Sequence, residues 1–116
     1  MKIGLLYSRI RKDEKLLLNE LRDRDHTVVK IDVRDVRFGL RSANVDFESL
    51  DIVLDRCLAT SRSMYATEFL ESYGVPVVNE PSVAAKCADK VKTSLALENA
   101  GVKTPETTVA FTKESA

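Results

Sequence analysis

The chain has 116 residues, 44% of them hydrophobic and 31% charged, with 18 basic side chains against 18 acidic ones and a formal net charge of zero. Neither half carries a marked basic excess, 11 Lys and Arg facing 9 Asp and Glu in residues 1–50 and 7 facing 9 in the rest, so a nucleic-acid partner gripped through its phosphates is excluded. The length suits a single core, and no apolar run reaches secretory or bilayer-spanning length, which reads as a cytoplasmic chain with no membrane partner.

Residues 2–7 read as a buried strand opening directly from the N-terminus, followed by the polar loop Ser8-Arg9-Ile10-Arg11-Lys12. A helix follows to about Arg24, with Asp13 and Glu14 in its first turn and Leu17, Leu18 and Leu21 on one stripe. His26 falls in an exposed turn, and the β-branched residues 27–33 make a second strand. Residues 34–50 show no clean period and mix Arg34, Arg37 and Arg41 with Asp35, Asp46 and Glu48, the pattern of a long surface connection.

Residues 51–55 form a third strand, and the polar stretch 56–63 leads into a helix whose Ala66, Phe69, Leu70 and Tyr73 recur at helical spacing. Gly74 is placed to stop that helix. Residues 75–79 make a short fourth strand, in which Pro76 must lie at the start or on an edge. Pro81 suits the first turn of a short helix, and a second helical segment, 89–100, ends at Gly101 with Pro105 beyond. Residues 107–111 look extended, and Thr112 to Ala116 carry a helix start with no helix after it, so the sequence is expected to be a fragment of a longer polypeptide.

Alternating strands and helices predict an α/β fold with a parallel sheet in the order 2-1-3-4 and helices on both faces. The ligand crevice of such a sheet lies beyond the carboxyl ends of strands 1 and 3, where the order reverses. The loops there are Ser8 to Lys12 and Arg56 to Ser63. The first has no glycine, which disfavours nicotinamide and flavin dinucleotides, and no Walker A loop occurs. Arg9, Arg11, Lys12, Arg56 and Arg62 meet there instead, with Ser8, Thr60 and Ser61, a set suited to a carboxylate or phosphate. The alternative is that the arginines pair with Asp13, Glu14 or Asp55. Cys57 and Cys87 read as reduced, part-buried thiols outside any disulfide or zinc spacing, and His26 is predicted at the opposite end of the sheet from any Cys nucleophile. No clustered carboxylates suggest a metal site.

The stretches Val77-Val78-Asn79-Glu80-Pro81-Ser82, Asp89-Lys90-Val91-Lys92-Thr93 and Ala100-Gly101-Val102-Lys103-Thr104-Pro105-Glu106-Thr107 resemble the ATP-grasp carboxylate-amine ligases. The segments Tyr7 to Lys15 and Asp55 to Arg62 look most like the LysX type, with the RimK type as near neighbour. That resemblance implies a Rossmann-like pre-ATP-grasp domain over 1–87, then a linking helix and strand over 88–116 leading to absent lid and catalytic domains. It implies a reaction through an acyl phosphate, with ATP and Mg2+ bound mainly by those domains. The implied partners are a small acidic amino-group carrier protein, whose C-terminal glutamate is extended, and an amino acid, α-aminoadipate or glutamate. Lys90 matches the family's phosphate-contacting lysine, and Asp89 suits a helix cap. The expected substrate-binding set is Ser8, Arg9, Arg56, Ser61, Arg62 and Asn79, with no catalytic residue and no metal ligand in this chain, which alone should be inactive. A homo-oligomer through Tyr65, Phe69 and Tyr73 stays open, as does a non-enzymatic Rossmann-like or receiver-like binding module, although Ser8-Arg9 stands where receivers carry acids.

Overall fold

A computed structural model describes residues 1–115. The chain divides into two compact units, Met1–Pro81 and a second from Ser82 onward. The first holds a four-stranded parallel sheet in the order β2-β1-β3-β4, built from β1 (Lys2–Tyr7), β2 (Thr27–Asp32), β3 (Ile52–Arg56) and β4 (Val77–Val78). The helices of this unit are α1 (Lys12–Asp23) and α2 (Thr60–Ser72). The expected α/β architecture and strand order are present. The fourth strand is only two residues long; Pro76 precedes it and contributes its carbonyl, which accepts from Val53 N at 2.8 Å, so the missing N–H costs no ladder bond.

Side chains alternate across a strand, and β1 is buried on both faces. Leu6 and Gly4 share one face. There Leu6 joins Ile31, Val33, Phe47, Leu50, Val53, Ala66, Leu70 and Val75 in a single apolar cluster. Ile3 and Leu5 point the other way, towards the side covered by α1, whose Leu18 is buried. Gly74 (φ 75°) ends α2 in the left-handed region, and Val75 N donates back to Leu70 O at 3.0 Å, closing the cap. At the other helix end, Asp25 (φ 58°) makes the turn into β2, a conformation that a short acidic side chain tolerates. His26 is half-buried beside it, at the amino end of the sheet.

The segment expected to be a surface connection is exposed along most of its length, but it also packs into the core. It begins with a 3-10 turn at Val33–Asp35, makes an isolated antiparallel bridge between Phe38 and Ala43, and delivers Phe47 and Leu50 into the core. Phe38 stacks between Phe47 and Phe69, with ring centroids 5.8 and 5.4 Å away. Asn44 pins the loop, accepting from Arg37 N at 2.7 Å and donating to Asp35 O at 3.0 Å. Aromatic packing and this amide replace a regular period, which is why periodicity did not reveal the segment. Phe69 and Tyr73 are thereby occupied within the unit, while Tyr65 stays 65% exposed.

The second unit contains α3 (Pro81–Ala88) and α4 (Lys90–Asn99), and Gly101 (φ 67°) terminates α4. Residues 102–110 form no strand, so the expected extended stretch has no ladder partner among the described residues; a 3-10 turn follows at Lys113–Ser115. The expected helix start at Thr112 thus yields one short turn, and Ala116 lies outside the described residues. No helix is long and apolar enough to cross a membrane among the described residues.

Gly4 is where the buried Leu50 of that loop meets the sheet. A Cβ there would stand 2.8 Å from Leu50 Cδ1, 3.1 Å from Val53 Cγ2 and 3.3 Å from Ile31 Cδ1. Gly4→Ala should therefore destabilise the chain by about 1–2 kcal/mol through overpacking. Denaturant unfolding should show Leu50→Val recovering part of that loss in the double variant, a coupling that independent sites would not give.

Candidate functional site

The carboxyl ends of β1, β2 and β3 lie in register, Tyr7 opposite Asp32 on one side and Arg56 on the other. The loops that leave these ends therefore meet at the reversal between β1 and β3. Three carboxylates and several guanidinium groups gather there.

Glu14, in the first turn of α1, is fully buried, whereas its neighbour Asp13 is exposed. Arg11 is the N-cap, and its side chain has no acceptor, so the reciprocal box at the helix start forms only through Glu14. Glu14 Oε2 accepts from Arg11 N at 2.9 Å and Arg11 Nε at 3.0 Å, and Oε1 accepts from Arg11 Nη2 at 2.8 Å. From the end of β3, Arg56 adds Nε at 3.2 Å and Nη2 at 3.0 Å, both to Oε1. The carboxyl is held down to about 2, mainly by the Arg11 hydrogen bonds, against a burial that acts to raise it.

Asp32 ends β2 and caps the 3-10 turn. It accepts from Arg34 N at 3.0 Å and Arg34 Nε at 2.9 Å and also pairs with Arg34 Nη2. Its carboxyl is likewise lowered to about 2, chiefly by Arg34 and with a smaller contribution from the charge of Arg62. Asp55 accepts from Cys57 N at 2.9 Å and from Ser63 Oγ, tying the β3 loop to the start of α2. Burial first, and then the Asp55 charge, push the Cys57 thiol up to about 12.

The expected site residues thus take different positions. Ser8 is buried, and its Oγ accepts from Leu58 N at 3.4 Å, a long bond joining the β1 and β3 loops. Arg56 engages Glu14. Arg9 is exposed in the β1 loop, and Ser61 and Arg62 are exposed in the first turn of α2. Asn79 is exposed just past β4, beside β3 in the sheet order. Glu14 and Arg11 were not in the expected substrate-binding set, but the pairing of crevice arginines with Glu14, given as the alternative, is the one that Arg11 and Arg56 make. The signal was present as an Arg-x-x-Glu spacing at a helix start, with Arg56 closing a strand end.

In the second unit, Asp89 caps α4, accepting from Val91 N at 2.9 Å and Lys92 N at 3.1 Å. The helix start is already occupied by a carboxylate, so an anion near it would depend on the Lys90 side chain, which is exposed. Thr93 Oγ1 donates to Lys86 O at 2.8 Å and to Asp89 O at 2.9 Å, stapling the joint between α3 and α4. A cleft of about 500 Å³ lies beside α4, lined mainly by apolar groups including Val91, Leu95, Pro105 and Val109. Cys87 is exposed, not part-buried as expected. No group of three or more His, Cys, Asp or Glu is arranged to hold a metal ion among the described residues.

Comparison with known proteins places the chain in a family. Residues 3–86 match the model of the LysX preATP-grasp domain. The whole chain is 32% identical to the "Alpha-aminoadipate--LysW ligase LysX" of Sulfurisphaera tokodaii, covering 41% of that protein, and 27% identical to the "Glutamate--LysW ligase ArgX" of Sulfolobus acidocaldarius, covering 40% of it. It spans about two fifths of the length of these relatives. A crystal structure of a RimK domain protein ATP-grasp from Sphaerobacter thermophilus superposes with a TM-score of 0.81 and 29% identity over 99% of this chain and 44% of that one.

The depressed carboxyls fix the direction of the pH dependence. Glu14 and Asp32 fall to about 2 from ordinary values of 4.5 and 3.8, so their stabilisation is complete above about pH 4.5 and is lost as pH drops towards 2. Thermal unfolding should show the midpoint falling through that window, with a shallower fall in Glu14→Gln. Arg11 and Arg56 side chains are 41% and 39% exposed and can rehydrate. Glu14→Gln should therefore cost only about 1–2 kcal/mol. Removing both arginines strands a buried carboxylate and should cost about 3–5 kcal/mol; the reverse ranking in denaturant unfolding would contradict this assignment. Iodoacetamide at pH 8 should modify Cys87 about 100-fold or more faster than Cys57, whose thiolate is scarce at that pH, as peptide mass analysis would show.

Proposed function

The chain belongs to the LysX preATP-grasp domain family, and we propose that it is the N-terminal, substrate-side domain of an ATP-dependent ligase that joins an amino acid to the C-terminal glutamate of a LysW-type carrier protein. The observation that carries this reading is the family match over residues 3–86, which takes in both switch-point loops and all of the sheet but Lys2. Similarity to LysX and ArgX proteins along the full chain supports it.

In such a ligase the carrier carboxylate takes the γ-phosphoryl group of ATP and ADP leaves. The amine of α-aminoadipate or glutamate then attacks the acyl carbon and phosphate departs. The contribution of this chain is binding and orientation. Arg9 and Arg62, exposed at the crevice, supply guanidinium groups for a carboxylate, with the Ser61 hydroxyl and the Asn79 amide beside the strand ends. Arg56 contributes through the edge it leaves free of Glu14, and Ser8 fixes the spacing of the two loops. Lys90 offers an ammonium to the nucleotide phosphates, where charge develops during transfer. Magnesium finds no fit among the described residues, since no acidic cluster is arranged to hold it, Asp89 caps a helix and the crevice carboxylates Glu14, Asp32 and Asp55 are already partnered, so no step of this chain runs through it.

Residues 1–87 then form the pre-ATP-grasp domain, and residues 88–116 are the segment that links it to the lid and catalytic domains of the proposed ligase. The exposure of Leu95 (58%) and Phe111 (94%) supports a further covering layer on this segment. A second reading, a RimK-type ligase that adds glutamate to another protein, is favoured by the RimK-domain structural neighbour.

The ligase polypeptide that carries this chain should form ADP only when given a LysW-type carrier and one of the two amino acids. Glutamate addition to a ribosomal protein without the carrier would overturn the carrier reading in favour of the RimK type. In the same polypeptide, Lys90→Ala should lower kcat/KM for ATP by about 100-fold. An unchanged value would return Lys90 to the solvated surface, and the 116-residue chain alone should hydrolyse no ATP.

A further inference from the structure

We propose that Arg11 and Arg56 form a two-pronged receptor for a carboxylate, shaped from below by Glu14, which makes Glu14 a positioning residue of the substrate crevice. The inference rests on the ligase reading for the identity of the carboxylate, and on geometry for the receptor itself.

An arginine from the cap of α1 and one from the end of β3 converge on one carboxylate that has no exposure of its own, while their side chains remain 41% and 39% exposed. The anion lies on the protein side and the cations on the water side. A single bidentate arginine would be enough to neutralise Glu14; the second leaves the triad with one net positive charge at the crevice. Each guanidinium commits Nε and one Nη2 hydrogen to Glu14. Of the five N–H donors that each carries, the Nη1 pair and the second Nη2 hydrogen stay uncommitted. Those donors are held in a fixed relation, because the Glu14 bonds remove most of the rotamer freedom that a free arginine such as Arg9 loses on binding. Asp13 lies near enough to Arg11 to act on its charge, but it is exposed and makes no hydrogen bond to it.

Electrostatics and positioning predict opposite signs for one substitution. Glu14→Gln raises the net charge of the triad by one, so a diffuse positive patch would bind an anion more tightly. A receptor that depends on Glu14 for its shape should bind it about tenfold more weakly, the loss of one charge-assisted contact. The test is a titration of the 15N-labelled chain with a short peptide ending in glutamate, with the same peptide amidated at its C-terminus, and with free α-aminoadipate, following the Arg11 and Arg56 guanidinium signals. Saturable shifts at both arginines and weaker binding by Glu14→Gln are expected. Loss of the shift on amidation identifies the main-chain carboxylate; its retention identifies the glutamate side chain, and a shift with α-aminoadipate alone identifies the amino acid. All three keep the receptor.

Equal or tighter binding by Glu14→Gln, or no shift at either arginine with any probe, overturns it. Should that variant not fold, Arg11→Lys and Arg56→Lys keep the charge and remove the fork, and unchanged affinity in both overturns it equally. A ligase that ignores the carrier would sink the functional reading and leave this binding result standing. An active, carrier-dependent ligase whose arginines do not respond would sink the receptor alone.

Discussion

A carboxylate with no solvent exposure sits at the start of α1, and the first unit is arranged around the need to satisfy it. Burying a charged carboxyl is costly unless it is paired and hydrogen-bonded on all sides. Glu14 meets that condition with five N–H donors from two arginines. The consequence is topological as well as energetic. One arginine is the cap of α1 and the other is the last residue of β3, so the helix start, the loop after β1 and the end of β3 are bound to a single point. Removing the carboxylate would leave two hydrated cations, whereas removing the cations would leave the carboxylate with no acceptable environment. The asymmetry makes Glu14 the dependent partner and the arginines its condition.

On the opposite side of the sheet the constraint is steric. The 34–50 segment must reach across the apolar face of β1, and it can do so because Gly4 leaves room for Leu50 and because Phe38, Phe47 and Phe69 stack into a continuous layer. Tyr73 closes that layer by donating its hydroxyl to Gly39 O. The sheet is thus covered by α2 and a packed loop on one face and by α1 on the other. That packing keeps the strand ends, and with them the crevice loops, at fixed spacing.

Elements with local causes were legible in the sequence. Strand order followed from the alternation of strands and helices, Gly74 and Gly101 ended helices because only a residue without Cβ enters the left-handed region cheaply, and Asp89 read as a cap because its carboxylate is the right length to reach two helix N–H groups. Elements with distant causes were not. Phe47 and Leu50 are buried by partners on β1, β3 and α2, and no local period announces that. Glu14 and Asp13 look alike as first-turn acids; the Arg-x-x-Glu spacing to Arg11 sets Glu14 apart locally, but the arrival of Arg56 from 42 residues away is not announced by any local pattern.

The zero net charge acquires a spatial meaning at the sheet edge. Five cationic side chains in the two switch-point loops suggest a strong positive field, yet Glu14 takes two arginines, Asp32 holds Arg34 and feels Arg62, and Asp55 is engaged by the β3 loop. What remains is a modest field with well-placed donors. A strong field would draw in any polyanion, nucleic acid included, whereas a small excess with fixed guanidinium edges discriminates by shape and hydrogen-bond geometry. The carboxylates that dilute the charge at this edge therefore convert attraction into orientation, because they fix the guanidinium groups while lowering the field around them.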